Sequence, residues 1–197
     1  MADIVKLQEN LKKKGFIVSY FETSAEANAY LSGKLAGQSI GLGGSMTVRE
    51  MGLDSALEAA GAKLIWHWNG GTPAEAAAAP VYISSVNGAA ETGELINIDG
   101  TGNRVASTIF GHETLYLVFG TNKVEESFEK ALWRARNIAA PKNAQRLKRN
   151  TPCAVNGDKC YDCSSPERIC KALAVLWGPP KGFRSVEVVI VNESLGM

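Results

Sequence analysis

The sequence predicts an α/β fold in which a mostly parallel central sheet is covered by helices on both faces. Runs of Val, Ile and Leu, such as residues 115–119 and 186–191, are continuous rather than alternating, as in strands buried on both sides. Segments with apolar residues at helical spacing separate these runs, the alternation that builds parallel sheets. The chain has 197 residues, 45% of them hydrophobic, enough for one full core and a tight fit for two.

Ile4, Leu7 and Leu11 recur at helical spacing until Gly15 stops the pattern, and residues 16–21 follow as a strand. Thr23 and Glu26 form a capping box: the hydroxyl takes a free backbone N–H, the carboxylate reaches back, and a helix opens through Leu35. Residues 39–42 read as a strand, 48–60 as a helix interrupted near Gly52, and 62–68 and 81–86 as strands. Between the last two lie the turn Asn69-Gly70-Gly71-Thr72-Pro73 and an alanine-rich stretch suited to a short helix. Residues 95–98 and 115–119 are strands flanking a helix over 104–110. Val124, Phe128, Leu132 and Ala135 place an apolar stripe on a long helix that Pro141 ends or kinks. Pro166 suits the first turn of a helix reaching to about Trp177, and residues 186–191 make the last strand.

A net charge of +1 offers no general attraction to nucleic acid, and the basic run 142–149 lacks interleaved aromatics, so it reads as a solvated helix face. No stretch approaches the ~20 apolar residues of a membrane span. Residues 1–7 run straight into a charged amphipathic pattern without the apolar core of a signal peptide, and the chain is expected to be cytoplasmic.

All four cysteines, Cys153, Cys160, Cys163 and Cys170, fall in one C-x6-C-x2-C-x6-C block. A tetrahedral Zn2+ or an iron–sulfur cluster needs four sulfurs brought together by a short flexible stretch, and Cys160 and Cys163 have the spacing of a chelating pair. Lys148, Arg149, Lys159, Arg168 and Lys171 would offset the thiolate charge. The spacing does not choose between zinc and an iron–sulfur cluster, and a Cys160/Cys163 redox pair or structural disulfides are the other readings.

In a parallel sheet a ligand is expected beyond the carboxyl ends of the strands. The segment Gly41-Leu42-Gly43-Gly44-Ser45-Met46-Thr47 lies between a strand and a helix, where glycines permit close approach and free N–H groups attract an anion. It is neither a dinucleotide fingerprint nor a P-loop, and a plain turn capped by Ser45 or Thr47 is the simpler alternative. A second polar segment, residues 91–104, carries Glu91, Glu94, Asp99, Asn97, Asn103 and Arg104 between apolar strands. Close carboxylates can divide acid and base roles and Arg104 can clamp an anion, although a hairpin whose acids satisfy turns has the same composition.

Several of these residues resemble the lactate-utilisation (LUD) domain family. The likeness runs through residues 82–104, Ala139-Ala140-Pro141-Lys142-Asn143-Ala144, Thr151-Pro152-Cys153, the cysteine block and Val191-Asn192-Glu193-Ser194-Leu195-Gly196. It also takes in Thr47-Val48-Arg49-Glu50-Met51-Gly52-Leu53 behind the glycine loop, and so nearly the whole chain: one domain, 1–197, with a cysteine-rich insertion at 151–171. The resemblance implies a three-layer α/β/α fold related to glucosamine-phosphate deaminase, ribose-phosphate isomerase and CoA transferases. By position, Gly43, Gly44, Ser45 and Thr47 would hold the anionic part of a ligand, with Asn103 and Arg104 beside it and Glu91 and Asp99 as the catalytic carboxylates. The family is linked to oxidation of L-lactate to pyruvate in bacteria alongside iron–sulfur redox proteins. Some members lack the C-terminal cysteines, and Glu94 stands where similar sequences often carry a small hydroxyl residue.

The two histidines, His67 and His112, are too few for a histidine-rich metal site, and Ser84 and Ser85 lack a nucleophile-elbow motif. Trp133, Trp177 and Phe128 read as core or interface. Two function classes follow: a lactate-utilisation component binding a small anionic ligand, or a freestanding sugar-phosphate isomerase or acyl-CoA transferase-like enzyme with a purely structural metal. A homodimer is the default assembly for such a chain.

Overall fold

The computed structural model describes residues 2–197. Asp3 accepts the Lys6 N–H and opens helix α1 (Ile4–Lys13), whose Leu7 and Leu11 are buried. Gly15, at φ +95°, turns the chain into strand β1 (Ile17–Phe21). Both halves of the Thr23–Glu26 capping box form at the start of α2 (Ser24–Leu35), followed by β2 (Ser39–Leu42). The interruption at Gly52 separates α3 (Met46–Glu50) from α4 (Leu53–Ala59). Then come β3 (Lys63–Trp66), α5 (Pro73–Ala77), β4 (Val81–Ser84), β5 (Gly88–Ala90), β6 (Leu95–Asp99), α6 (Asn103–Ile109) and β7 (Thr114–Gly120). A 3-10 turn (Thr121–Lys123) leads to β8 (Val124–Glu125), α7 (Phe128–Arg134), α8 (Ala140–Arg146), α9 (Pro152–Asn156), β9 (Ala172–Leu176) and β10 (Ser185–Val191).

Six strands form an all-parallel sheet in the order β1-β10-β7-β4-β2-β3. Every residue of β7 is buried, and its side chains divide by parity. Tyr116 and Val118 join Leu31, Leu35, Leu42, Leu53 and Trp66 in one core cluster, whereas Leu115, Leu117 and Phe119 join Leu7, Leu11 and Phe16 in another. A core on each face gives the three-layer arrangement the continuous apolar runs predict.

A second sheet, β8-β5-β6-β9, flanks the first. Its outer strand corrects the helix expected after Pro166: Leu176 through Ala172 pair antiparallel with Leu95 through Asp99, and residues 166–171 form no regular element. The segment has the alternating burial of a strand, and Gly100 admits the Ile169 backbone so closely that a Cβ there would lie 2.8 Å from the Ile169 carbonyl oxygen. Val124 lies on a strand rather than on the long helix. Pro141 does not end that helix: a π-helical segment (Ala135–Ala139) joins α7 to α8, and the altered register accommodates the missing proline N–H. Trp133 and Trp177 are exposed, not core. Among the described residues no helix is long and apolar enough to cross a membrane.

Candidate functional site

A cavity of about 460 Å3 opens beyond the carboxyl ends of the parallel strands. The segments following four strands line it: Gly44 to Met46 after β2, His67 and Trp68 after β3, Ser85 to Asn87 after β4, and Lys123 after β7. Ile98 to Arg104 close one side, and Arg146, Arg149 and residues 166–169 of the cysteine-bearing segment form the outer wall. The glycine loop and much of the second polar segment therefore meet, although they are distant along the chain.

Ser45 lines the cavity and caps α3, its hydroxyl accepting the Val48 N–H at 3.2 Å. Gly44 also lines it, whereas Gly43 lies directly behind. A Cβ at Gly43 would sit 2.8 Å from Ser84 Oγ and 2.9 Å from the Tyr82 hydroxyl, with Arg104 Cγ at 3.2 Å. At Gly44 the nearest atoms, on His67 and Trp68, would be at an ordinary 3.4 Å. Gly43→Ala is accordingly expected to cost about 2 kcal/mol in chemical denaturation, while Gly44→Ala stays within about 0.5 kcal/mol.

Asp99 lines the cavity, but its carboxylate holds the loop into α6 together. It accepts from the backbone N–H groups of Gly100 at 2.7 Å, Arg104 at 2.9 Å and Val105 at 3.1 Å. Arg104 donates from Nη1 to Asn97 Oδ1 and the Ser85 carbonyl, and from Nη2 to Asn87 Oδ1 and the Ile98 carbonyl. Four of the five guanidinium N–H groups are thus committed within the protein, and Arg104 offers a ligand its charge more than a free fork. Asn103 borders the same space.

Two expected ligand contacts lie elsewhere. Thr47 is fully buried behind the cavity wall, bonded to Lys123, because the α3 turn carries it inward under Leu195 and Gly196. Glu91 sits at the β5–β6 hairpin turn and faces α1, accepting from the Asp3 N–H at 2.7 Å and pairing with Lys6 at 3.0 Å. Those bonds hold its carboxyl below the usual carboxylate range. Neighbouring Glu94 pairs with Lys14, so the two acids dock the hairpin on the helix.

Sequence reasoning missed Lys123. It is buried and donates to Thr47 Oγ1 at 2.8 Å, Ser85 Oγ at 3.0 Å and the Val86 carbonyl at 3.2 Å. Burial and the nearby Arg134 and Arg104 charges push its pKa down to about 7, against a smaller opposing pull from Glu50. Other buried charges have ion-pair partners, as Glu187 has in Lys34 at 2.6 Å and Arg134 in Glu125 at 3.9 Å, whereas Arg104 has neutral acceptors. Among the described residues Lys123 has no carboxylate within ion-pair distance. The one available sequence signal was position: a lysine three residues past the carboxyl end of a fully buried strand.

The cysteine block borders the site without forming a ligand set. Cys160 and Cys170 line a smaller adjoining cavity, Cys153 Sγ lies 3.3 Å from Thr151 Oγ1, and all four thiols are free. Among the described residues no three His, Cys, Asp or Glu side chains converge as a metal site. The expected ligands Cys153, Cys160, Cys163 and Cys170 lie along one segment but are not gathered around a common point in this structure. Arg168 helps fix it, donating to the carbonyls of Cys163 at 2.8 Å and Cys170 at 3.0 Å.

The profile of the LUD domain matches residues 4–191, almost the whole chain. The chain belongs to the LUD domain family. That family is associated with lactate utilisation in general. The fold of this LUD domain is similar to the crystal structure of a DUF162 family protein from Deinococcus radiodurans, with a TM-score of 0.56 over 95% of both chains at 13% identity. No curated protein matches the chain significantly.

Proposed function

We propose that this LUD domain is a component of bacterial lactate utilisation, the oxidation of L-lactate to pyruvate. In this reading its cleft binds a small carboxylate or phosphorylated ligand and iron–sulfur partner proteins carry the electrons. The charge balance of the cavity supports the anionic ligand most. Arg104, Arg146, Arg149, Arg168 and Lys171 line it against only Asp99 and Glu167, and Asp99 is already engaged by three backbone N–H groups. Concave low-dielectric walls focus such a field and draw anions in. The volume of about 460 Å3 suits an organic ligand, so a phosphorylated metabolite fits as well as a bare carboxylate.

Titration calorimetry with L-lactate, pyruvate and inorganic phosphate tests this reading. Saturable binding of at least one is expected, weakening several-fold as salt rises from about 50 to about 300 mM because the exposed Arg149 and Lys171 are screened. The double variant Arg149→Gln/Lys171→Gln should bind more weakly at low salt and lose most of that salt dependence. A chain that binds none of the three at millimolar concentration sinks the proposal.

A further inference from the structure

We infer that Ser85 and Lys123 form a nucleophile–base dyad that cleaves a carboxylic ester or thioester through an acyl-serine intermediate, with Thr47 as a positioning residue. This activity goes beyond anion binding and does not depend on it. The geometry is that of an activated hydroxyl: Ser85 lines the cavity, Lys123 Nζ stands 3.0 Å from Ser85 Oγ, and a third group fixes the amine from 2.8 Å. The hydrogen-bond network is complete with a neutral amine. The Lys123 amine donates to Thr47 Oγ1 and the Val86 carbonyl and Thr47 donates to the Leu195 carbonyl at 3.3 Å, while the Ser85 hydroxyl, 3.2 Å from Thr47 Oγ1, can rotate its proton onto the lone pair of a neutral Lys123 Nζ 3.0 Å away. The charged groups acting on the amine, Arg134, Arg104 and the weaker opposing Glu50, together with its burial, favour that neutral form near pH 7. Arg104 donates from Nη1 to the Ser85 main-chain carbonyl at 3.4 Å, so a positive charge stands near the nucleophile.

In the reaction Ser85 Oγ forms a bond to the acyl carbon as its proton passes to Lys123 Nζ. The tetrahedral centre collapses, the C–O or C–S bond to the leaving group breaks, and the Lys123 ammonium protonates the departing alkoxide or thiolate. Water attacks the acyl-serine, giving its proton to Lys123, which returns one to Ser85 Oγ. The products are the carboxylic acid and the alcohol or thiol, with no oxidant or reductant consumed.

An alkyl fluorophosphonate, which phosphonylates activated serines and releases fluoride, tests the dyad in the purified chain. One adduct on the intact mass, mapped to Ser85, is expected, with a labelling rate that rises through about pH 7. Lys123→Met should slow labelling roughly a hundredfold, the scale of a lost general base. Ser85→Ala should abolish it with an unchanged circular dichroism spectrum. Thr47→Val should slow labelling and Thr47→Ser restore it, a rescue that distinguishes positioning from packing. No adduct, an adduct on another residue, or a Lys123→Met variant labelled as fast as the parent overturns the inference. Calorimetric anion binding reads the other proposal separately, so either can fail alone.

Discussion

Replacing Lys123 with methionine is expected to stabilise the protein at pH 6 by about 3 kcal/mol and to make its stability less dependent on alkaline pH. The amine falls from the ordinary 10.5 to about 7 in the folded chain, which corresponds to about 5 kcal/mol of preference for the neutral form. Below pH 7 the lysine is protonated in both folded and unfolded states, and the folded state bears the whole cost of a buried cation. Between pH 7 and 10.5 the unfolded chain binds a proton that the folded chain has released, so stability rises with pH by about 1.4 kcal/mol per unit. Methionine removes that cost and also the hydrogen bonds to Thr47, Ser85 and Val86, worth about 2 kcal/mol together, which sets the net gain. Denaturant unfolding of both proteins from pH 6 to pH 10.5 checks this. The difference in stability should be flat below pH 7, then shrink and change sign; a difference independent of pH would show that the amine keeps an ordinary pKa.

Lys123 illustrates which part of the site the sequence hid. Thr23 with Glu26 and the break at Gly52 specify their elements through bonds and dihedrals confined to a few residues, so they can be read locally. The site's position was legible too, because parallel strands leave their carboxyl ends open to loops, and Gly44, Ser45, Asp99, Asn103 and Arg104 all reach the cavity there. Lys123 is chemically one lysine among many. Only tertiary packing, with the Gly196 backbone close enough that a Cβ would sit 3.1 Å from Nζ, makes it a buried amine.

The same distinction governs what only the tertiary structure reveals. β9 forms by pairing with β6, more than seventy residues earlier, and a local helix signal after Pro166 carries no information about that partner. Glu91 lies in a stretch with the composition of a catalytic loop, but the hairpin register turns it toward Lys6 and away from the cavity. Sequence proximity of the cysteines shows that four thiols can meet. How the segment between them runs is a tertiary matter, and Arg168 fixes part of it through the Cys163 and Cys170 carbonyls.

Arg104→Ala should lower stability by about 3 kcal/mol and weaken anion binding at least tenfold. The guanidinium bridges Asn87, Asn97, Ile98 and Ser85, joining the ends of β4 and β6, so its removal leaves four acceptors without their donor. Asn97 is only 2% exposed and has little water to replace the lost bond. The positive charge beside the cavity disappears as well. Arg104→Lys separates the two effects: an ammonium keeps the charge but has three donors on a single atom and cannot span acceptors arranged for a planar fork. It should recover part of the affinity for inorganic phosphate at low salt while remaining about 2 kcal/mol less stable than the parent. Denaturant unfolding and phosphate calorimetry on the two variants give both readouts. Equal affinities in Arg104→Ala and the parent would mean that Arg104 is a brace between the two sheets and no part of the anion site.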